Sequence, residues 1–255
     1  MSMRRLRVLT LPVLLLVAWQ IWAMGLPANT RAPSPAHVVT EFGALLASGD
    51  LPTATAESLG RVMLGFLVAA LCGITLGLLM GAFRVVRRNL DPIVETFRPI
   101  AAIAILPMAI LWFGTGTPAA VFIVAYAAFF PLVINTAHGV SGVDRKLVQA
   151  AMTMGVGRST ILRMVMLPAA LPSIFVGARL AMGIAWTAII AAELAVGAKA
   201  GGGGSGGLGQ MMFIDYAYSV DLNGIVVCMI VVGIVSLLID RGFRLAERRL
   251  LVWRP

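Results

Sequence analysis

Six apolar stretches dominate this chain, and each is long enough to cross the hydrocarbon core of a bilayer as a helix. That core is about 30 Å thick and a helix rises about 1.5 Å per residue, so a span needs about 20 residues. Because unpaired backbone amides are costly in lipid, and no stretch alternates as a barrel strand does, all six are predicted to be helices. The predicted fold class is an all-α, polytopic membrane protein with six transmembrane helices, at about 8–25, 58–83, 93–113, 118–137, 172–196 and 222–240.

The charged residues give these spans an orientation. Only 12% of the chain is charged, about half the fraction typical of soluble domains. Three Lys or Arg residues precede the first span, three follow the second, four lie between the fourth and fifth, and five follow the sixth, out of 20 in all. By the positive-inside rule these regions face the cytoplasm, and both termini are predicted to be cytoplasmic. The net charge of +9 thus reflects orientation in membrane lipid, and we expect no nucleic-acid partner.

The first apolar stretch allows two interpretations. MSMRRLR followed by LTLPVLLLVAWQIWAMG has the basic and apolar regions of a secretory signal. The stretch is long for a signal, and we expect a retained helix at about 8–25 that is peripheral to five core helices over about 58–240. The whole chain, 1–255, is then predicted to form a single transmembrane domain.

The outer loop at 197–210, GAKAGGGGSGGLGQ, is nearly pure glycine. It is predicted to be a flexible connector, whether residues 200–207 are native or were introduced. No metal site is predicted, because His138 has no second His or Cys at ligand spacing. Cys72 and Cys228 fall within predicted spans, which favours buried thiols.

The longest cytoplasmic segment runs from about 138 to 171. Asp144 can cap a short helix that runs through Ala151 and stops near Gly155 or Gly157. Small residues on this helix would let another protein surface approach closely, which is typical of a docking element. An ordinary cytoplasmic loop, whose small residues only fit the bundle, is the alternative.

A spaced motif in this loop resembles the EAA loop of permease subunits of binding-protein-dependent ABC importers. The family pattern is Glu-Ala-Ala, three residues, Gly, nine residues, Ile, one residue and Leu-Pro. Two residues depart from it: Gln149 replaces Glu and Val165 replaces Ile. The first removes a charge that could pair with an ATPase, although an amide keeps a hydrogen bond. Met166 stands at the unspecified position before Leu-Pro, and the residues that match are Ala150, Ala151, Gly155, Leu167 and Pro168.

The resemblance extends over most of 58–255. Within the family, this part of the chain is similar to the branch that imports sulfonates, taurine, nitrate and related small solutes. The family segment around 99–106 usually has a second proline where this chain has Ala102. The segments that carry it are FRPIAAIAILPMAILWFGTG at 97–116, AFFPLVINTAHGV at 128–140, GIAWTAIIAAEL at 183–194 and RRLLVWRP at 248–255.

The resemblance implies the MetI-like permease fold of type I ABC importers, in the bacterial inner membrane. Its implied partners are a second copy of this chain, two cytoplasmic ATPase subunits and a periplasmic solute-binding protein. ATP and Mg would be bound by the ATPase, so this chain is expected to carry no cofactor and to be no enzyme. The implied ATPase-coupling residues are Asp144, Gln149, Ala150, Ala151, Gly155, Leu167 and Pro168.

The sequence also indicates, apart from the resemblance, that the energy for transport does not come from this chain. The chain has no G-x-x-x-x-G-K-[ST] motif and no soluble stretch large enough for a nucleotide fold. Energy must come from another chain or from an ion gradient. The alternative function is therefore an ion-coupled secondary transporter that uses Glu193 and Arg61. Such a transporter predicts inverted repeats and broken mid-membrane helices, of which the sequence shows no sign.

Ionisable residues within spans are candidates for function because a charge in hydrocarbon is costly unless it is paired or wet. Glu193 and Arg61 lie at comparable depth, so we expect either an ion pair or a lining of the translocation pathway. Trp186 and Thr187 are predicted to line the pathway or to pack between helices. Arg98, at the cytoplasmic end of the third span, is predicted to extend towards the inner surface.

Overall fold

The computed structural model describes residues 3–25, 32–196 and 206–250, and helices make up almost all of them, with no strand among them. The predicted all-α class is thus confirmed. Of the predicted flexible connector at 197–210, residues 197–205 lie outside the described residues, as does the end of the chain, 251–255. The last four residues, 207–210, begin a helix, so the connector is shorter than predicted. In chain order the α-helices are α1 (Met3–Met24), α2 (Pro35–Ala47), α3 (Asp50–Ala82), α4 (Arg84–Phe97), α5 (Leu106–Phe113), α6 (Thr117–Ser141), α7 (Arg145–Thr153), α8 (Arg158–Ile161), α9 (Leu167–Val196), α10 (Gly207–Ile214) and α11 (Leu222–Leu250).

Four helical stretches of the described chain are long and apolar enough to cross a membrane. They correspond to the second, fourth, fifth and sixth predicted spans. In α1 the apolar stretch is the shorter Val13–Met24, so the first predicted span is not among them. The described chain therefore has four such helices, or five if a bent pair forms one span, where six were predicted. The four are Asp50–Ala82, Thr117–Ser141, Ser159–Ala195 and Leu222–Arg249.

The third predicted span, 93–113, is broken. The helix α4 and the helical stretch Ala102–Phe113 meet at 86°. Arg98, the residue before Pro99, is still helical, with φ of −52° and ψ of −43°, and the backbone becomes extended at Ala101, with ψ of 134°. Pro99 lacks an N–H and cannot continue the helical hydrogen bonds. A proline within a span is expected to bend it, and a bend at Pro99 is observed. The size of the break, which divides the predicted span into two helices, was not predicted.

The fifth predicted span begins earlier than residue 172. Helix α8 continues through a π-helical turn, Leu162–Met166, into α9. In this wider turn the N–H of Leu167 donates to the carbonyl of Leu162, five residues back. Pro168 then lies in the first turn of α9, where its missing N–H costs little. The loop and the span are therefore one helical run.

The chain divides into two compact units. The first comprises the described residues of 1–57 and 197–234. In it α1 and α2 are held by polar contacts: Trp19 Nε1 donates to the carbonyl of Pro33 at 3.0 Å, and Gln20 Oε1 accepts from the N–H of Ala36 at 3.2 Å. The second unit comprises 58–196 and the described residues of 235–255.

The core of the second unit depends on glycines along one face of α3. Gly65, Gly73, Gly77 and Gly81 fall four or eight residues apart and all face α6. A Cβ at Gly77 would lie 2.6 Å from Thr136 Cβ, and one at Gly81 would lie 2.5 Å from Val140 Cβ. Because these glycines have no side chains, α3 and α6 can approach each other closely, as in small-residue packing of membrane helices.

Helix α6 is also packed closely against α9. A Cβ at Gly139 would lie 2.7 Å from Ser173 Cβ, and one at Gly177 would lie 2.6 Å from Asn135 Cβ. Between its two neighbours α6 buries Ile123, Leu132 and Val133 completely. It is thus the central helix of this unit.

Substitution of Gly77 tests this packing. We expect Gly77→Ala to lower the free energy of unfolding by about 1–3 kcal/mol, because the new Cβ meets the Thr136 side chain and the backbone of Val133. Gly60→Ala on the same helix is the matched control, since no atom lies within 4 Å of its Cβ position. The measurement is unfolding by sodium dodecyl sulfate in mixed micelles. Equal stability of the two variants would contradict the proposed role of the glycine face.

Candidate functional site

The loop helix α7 has well-defined ends. At its start the Asp144 carboxylate accepts a hydrogen bond from the N–H of Lys146 at 2.9 Å. At its end Gly155 has φ of +74°, and the N–H of Val156 donates to the carbonyl of Ala151 at 3.2 Å. This is the Schellman closure of a helix, which requires a left-handed residue. The predicted capped helix is therefore present, and its length is fixed by Asp144 and Gly155.

The two faces of α7 differ in exposure. Ala151 is buried at 5% exposed, whereas Gln149 and Ala150 are exposed. Leu147 is 56% exposed and Met152 is 51% exposed. An isolated helix of nine residues is marginal in water. Helix α7 is instead held by its inner face and its caps, and it leaves apolar side chains open to another surface.

The last two residues of the spaced motif lie elsewhere. Leu167 is partly buried and packs on the apolar cluster of Val140, Ala170 and Ile174, where α6 meets α9. Pro168 is exposed in the first turn of α9. The motif therefore combines an exposed docking helix with the point at which the following helical run is anchored to α6.

The ionisable residues Arg61 and Glu193 are brought together. Arg61 Nη1 lies 2.7 Å from Glu193 Oε1, and their side chains are 15% and 3% exposed. Ser58 Oγ also lies within hydrogen-bond distance of both carboxylate oxygens, at 3.0 and 2.8 Å. Arg61 Nε donates to Thr117 Oγ1 at 3.4 Å. Of the two possibilities raised by the sequence, the ion pair is observed, and a role in the pathway stays a prediction.

Ser58 was missed by sequence reasoning, although it lies three residues before Arg61 and hence on the same helix face. Trp186 and Thr187, predicted together, point in different directions. Trp186 is 1% exposed, which fits the packing alternative, whereas Thr187 is exposed and its hydroxyl donates to the carbonyl of Ile184 at 2.9 Å. A contact of either residue with solute stays a prediction.

A second polar cluster, which the sequence did not indicate, lies in the first unit between α10 and α11. Burial, followed by the nearby carboxylates of Asp221 and Glu41, raises the pKa of Asp215 from 3.8 to about 6. Asp215 Oδ2 and Asn223 Oδ1 are buried and have no hydrogen-bond partner among the described residues. Since the pKa is higher in the folded state, the contribution of Asp215 to stability grows as the pH falls from about 6 towards 4.

A double-mutant cycle tests the ion pair. Removing one member of a buried pair leaves an uncompensated charge, so we expect Arg61→Met and Glu193→Met each to cost about 3–5 kcal/mol in the free energy of unfolding. The double variant Arg61→Met/Glu193→Met should cost clearly less than the sum. Unfolding in mixed micelles gives all three values. Additive losses would show that the two side chains act separately.

Comparison with known proteins gives a family match. Residues 73–252 match the family described as "Binding-protein-dependent transport system inner membrane component". A putative ABC transporter permease protein of Methanocaldococcus jannaschii is 38% identical over 251 residues, which cover 96% of this chain and 91% of that protein.

Two further relatives carry solute names. A putative aliphatic sulfonates transport permease of Bacillus subtilis is 36% identical over 96% of this chain and 87% of that protein. The taurine transport system permease of Escherichia coli is 34% identical over 96% of this chain and 88% of that protein.

Among solved structures, a chain of the MetNI methionine ABC transporter, in inward-facing conformations, has the same fold. The TM-score is 0.67 at 22% identity, over 81% of this chain and 96% of that chain. Together with the capped α7 and its spaced motif, these matches show that the chain belongs to the family of binding-protein-dependent transport system inner membrane components, as an ABC transporter permease of the branch that includes the sulfonate and taurine permeases.

Proposed function

We propose that this chain forms, as a pair, the membrane pore of an ABC importer for a small solute of the sulfonate and taurine type. Two cytoplasmic ATPase subunits, which bind ATP and Mg, drive it, and a periplasmic solute-binding protein delivers the solute. The observation that carries this proposal is the exposed, doubly capped helix α7 at the position of the family's coupling motif. The names of the relatives support the solute class.

Helix α7 is suited to transmit force because of its connections. It follows α6 after a short turn, and the helical run from Arg158 to Val196 follows it. Leu167 anchors that run to α6 in the cluster of Val140, Ala170 and Ile174. A displacement of α7 would therefore move two packed helices together, because a close-packed interior transmits strain.

The energetic requirement is a difference between two states. ATP shifts the permease only if the ATPase pair engages α7 better in one conformation than in the other. In a bacterial inner membrane, both termini and α7 would face the cytoplasm, and the groove of the ATPase would receive α7 from that side. Gln149 is exposed there and can offer an amide hydrogen bond in place of the ion pair of a glutamate.

Capture of the ATPase tests this proposal. The tagged permease is co-expressed with ABC ATPase subunits of the same organism, and retained ATPase is quantified after purification. Leu147→Glu should reduce retention at least tenfold, because a carboxylate in a desolvated apolar contact is costly. Val85→Glu on α4 is the matched control, since Val85 is 73% exposed and lies outside α7.

The expected result is full retention by the parent protein and by Val85→Glu. Equal retention by Leu147→Glu would remove α7 as the docking element. A parent protein that captures no ATPase would contradict the importer proposal as a whole.

A further inference from the structure

A cavity of about 360 Å³ lies in the second unit, where the break after α4 meets α6 and α9. Small-molecule sites in proteins occupy roughly 300–1,000 Å³, so this cavity has room for a small solute. Its polar side chains are those of Arg98, Tyr126 and Asn135, and most of the remaining wall is aliphatic or aromatic. No acidic side chain is among the described residues that line it.

Arg98 is the one arginine among the described residues that line this cavity, and its side chain is exposed. Arg61, Arg87, Arg179 and Arg244 each form an ion pair with a carboxylate. Arg98 has no carboxylate within ion-pair distance among the described residues. A guanidinium stays charged and offers five N–H donors in a planar fork. Arg98 therefore presents an uncompensated positive charge to a largely apolar cavity.

The backbone holds Arg98 at this place. The Tyr126 hydroxyl of α6 donates to the carbonyl of Phe97 at 2.9 Å, which ties the last turn of α4 to α6. Pro99 then turns the chain away at 86°. The backbone position of Arg98 is thus set by the bend at Pro99 and by the hydrogen bond of Tyr126 to the preceding residue.

Asn135 supplies a second donor to the same cavity. Its side-chain amide donates to the carbonyl of Pro131 at 2.8 Å, which uses one of its two N–H groups. Gly177 of α9 lies so close to Asn135 that a Cβ added to this glycine would be 2.6 Å from the Asn135 Cβ. The amide is therefore fixed between two helices, with one further N–H to offer.

We propose that this cavity binds a small organic oxyanion, with its charged head at Arg98 and Asn135 and a short apolar body against Phe130, Leu180 and Ile184. The head is a sulfonate or a carboxylate, since each carries a negative charge and can present two acceptor oxygens to the two N–H groups of one guanidinium edge. A zwitterion binds less well, because no acidic side chain of the cavity offsets its ammonium group. This inference rests on the proposed import function and specifies its solute.

The test is equilibrium dialysis of labelled butanesulfonate against the purified permease in detergent, with the ATPase bound. Butanoate, taurine and the uncharged butanesulfonamide are the comparison probes. We expect butanesulfonate or butanoate to bind at least tenfold more tightly than butanesulfonamide, and taurine to bind more weakly than butanesulfonate. Which acid binds better identifies the head group. Equal binding of butanesulfonate and butanesulfonamide would overturn the proposal.

Variants assign the effect to Arg98. Arg98→Gln should weaken binding of the preferred acid at least tenfold, and Arg98→Lys should weaken it less, since lysine keeps the charge and loses the fork. Arg88→Gln is the matched control: it removes the same charge from an exposed position on α4, outside the cavity. Ile184→Trp fills the cavity, leaves Arg98 in place and should also weaken binding at least tenfold. Equal binding by Arg98→Gln and Arg88→Gln would overturn the proposal.

The two proposals can fail separately in these samples. Loss of the ATPase from the parent permease contradicts the import function, and dialysis of the permease alone still decides the cavity. Retained ATPase with butanesulfonate binding that is indifferent to Arg98 contradicts only the cavity.

Discussion

Apolar helices in lipid gain little from leaving their surroundings, because lipid tails are as apolar as their side chains. Close van der Waals contact must therefore hold the helices together. Here glycines, which have no side chain, allow that close contact. The glycines of α3 receive the side chains of α6, and Gly177 of α9 receives Asn135. The helix common to these contacts is α6, the central helix of the second unit.

Three functional elements meet on α6. Its first residue, Thr117, contacts Arg61 of the buried ion pair. Its middle contributes Tyr126 and Asn135 to the cavity. Its end leads through a short turn into the capped helix α7. A movement at α7 would therefore reach the cavity and the ion pair through one rigid element, which is the property that a driven permease requires.

The sequence was most informative where one residue determines the local structure. Asp144 and Gly155 fixed the ends of α7, because an N-cap carboxylate and a left-handed glycine have few alternatives. Long apolar runs likewise predicted four of the spans. Pro99 indicated a bend in its span, but the 86° angle and the π turn before Pro168 were not predicted, since a proline determines neither the angle of a bend nor the turn that accommodates it.

Longer-range partners were harder to predict. The four-residue spacing of glycines on α3 was readable as a packing face and was overlooked, whereas the register that brings Gly77 to Thr136 depends on the packed helices. The cavity around Arg98 follows from the break and from Tyr126, neither of which spacing alone reveals. The hydrogen bond of Ser58 to Glu193 depends on the packing of α3 against α9, which spacing along the sequence does not predict.

The central claim is that an ATPase moves α7. The most direct measurement is the distance between spin labels at Met154→Cys, 74% exposed at the end of α7, in two paired permeases carrying bound ATPase. The native cysteines, Cys72 and Cys228, are replaced by alanine. Our account predicts that the distance becomes shorter when ATP binds and is restored after hydrolysis. A distance distribution that is the same with and without ATP would contradict it.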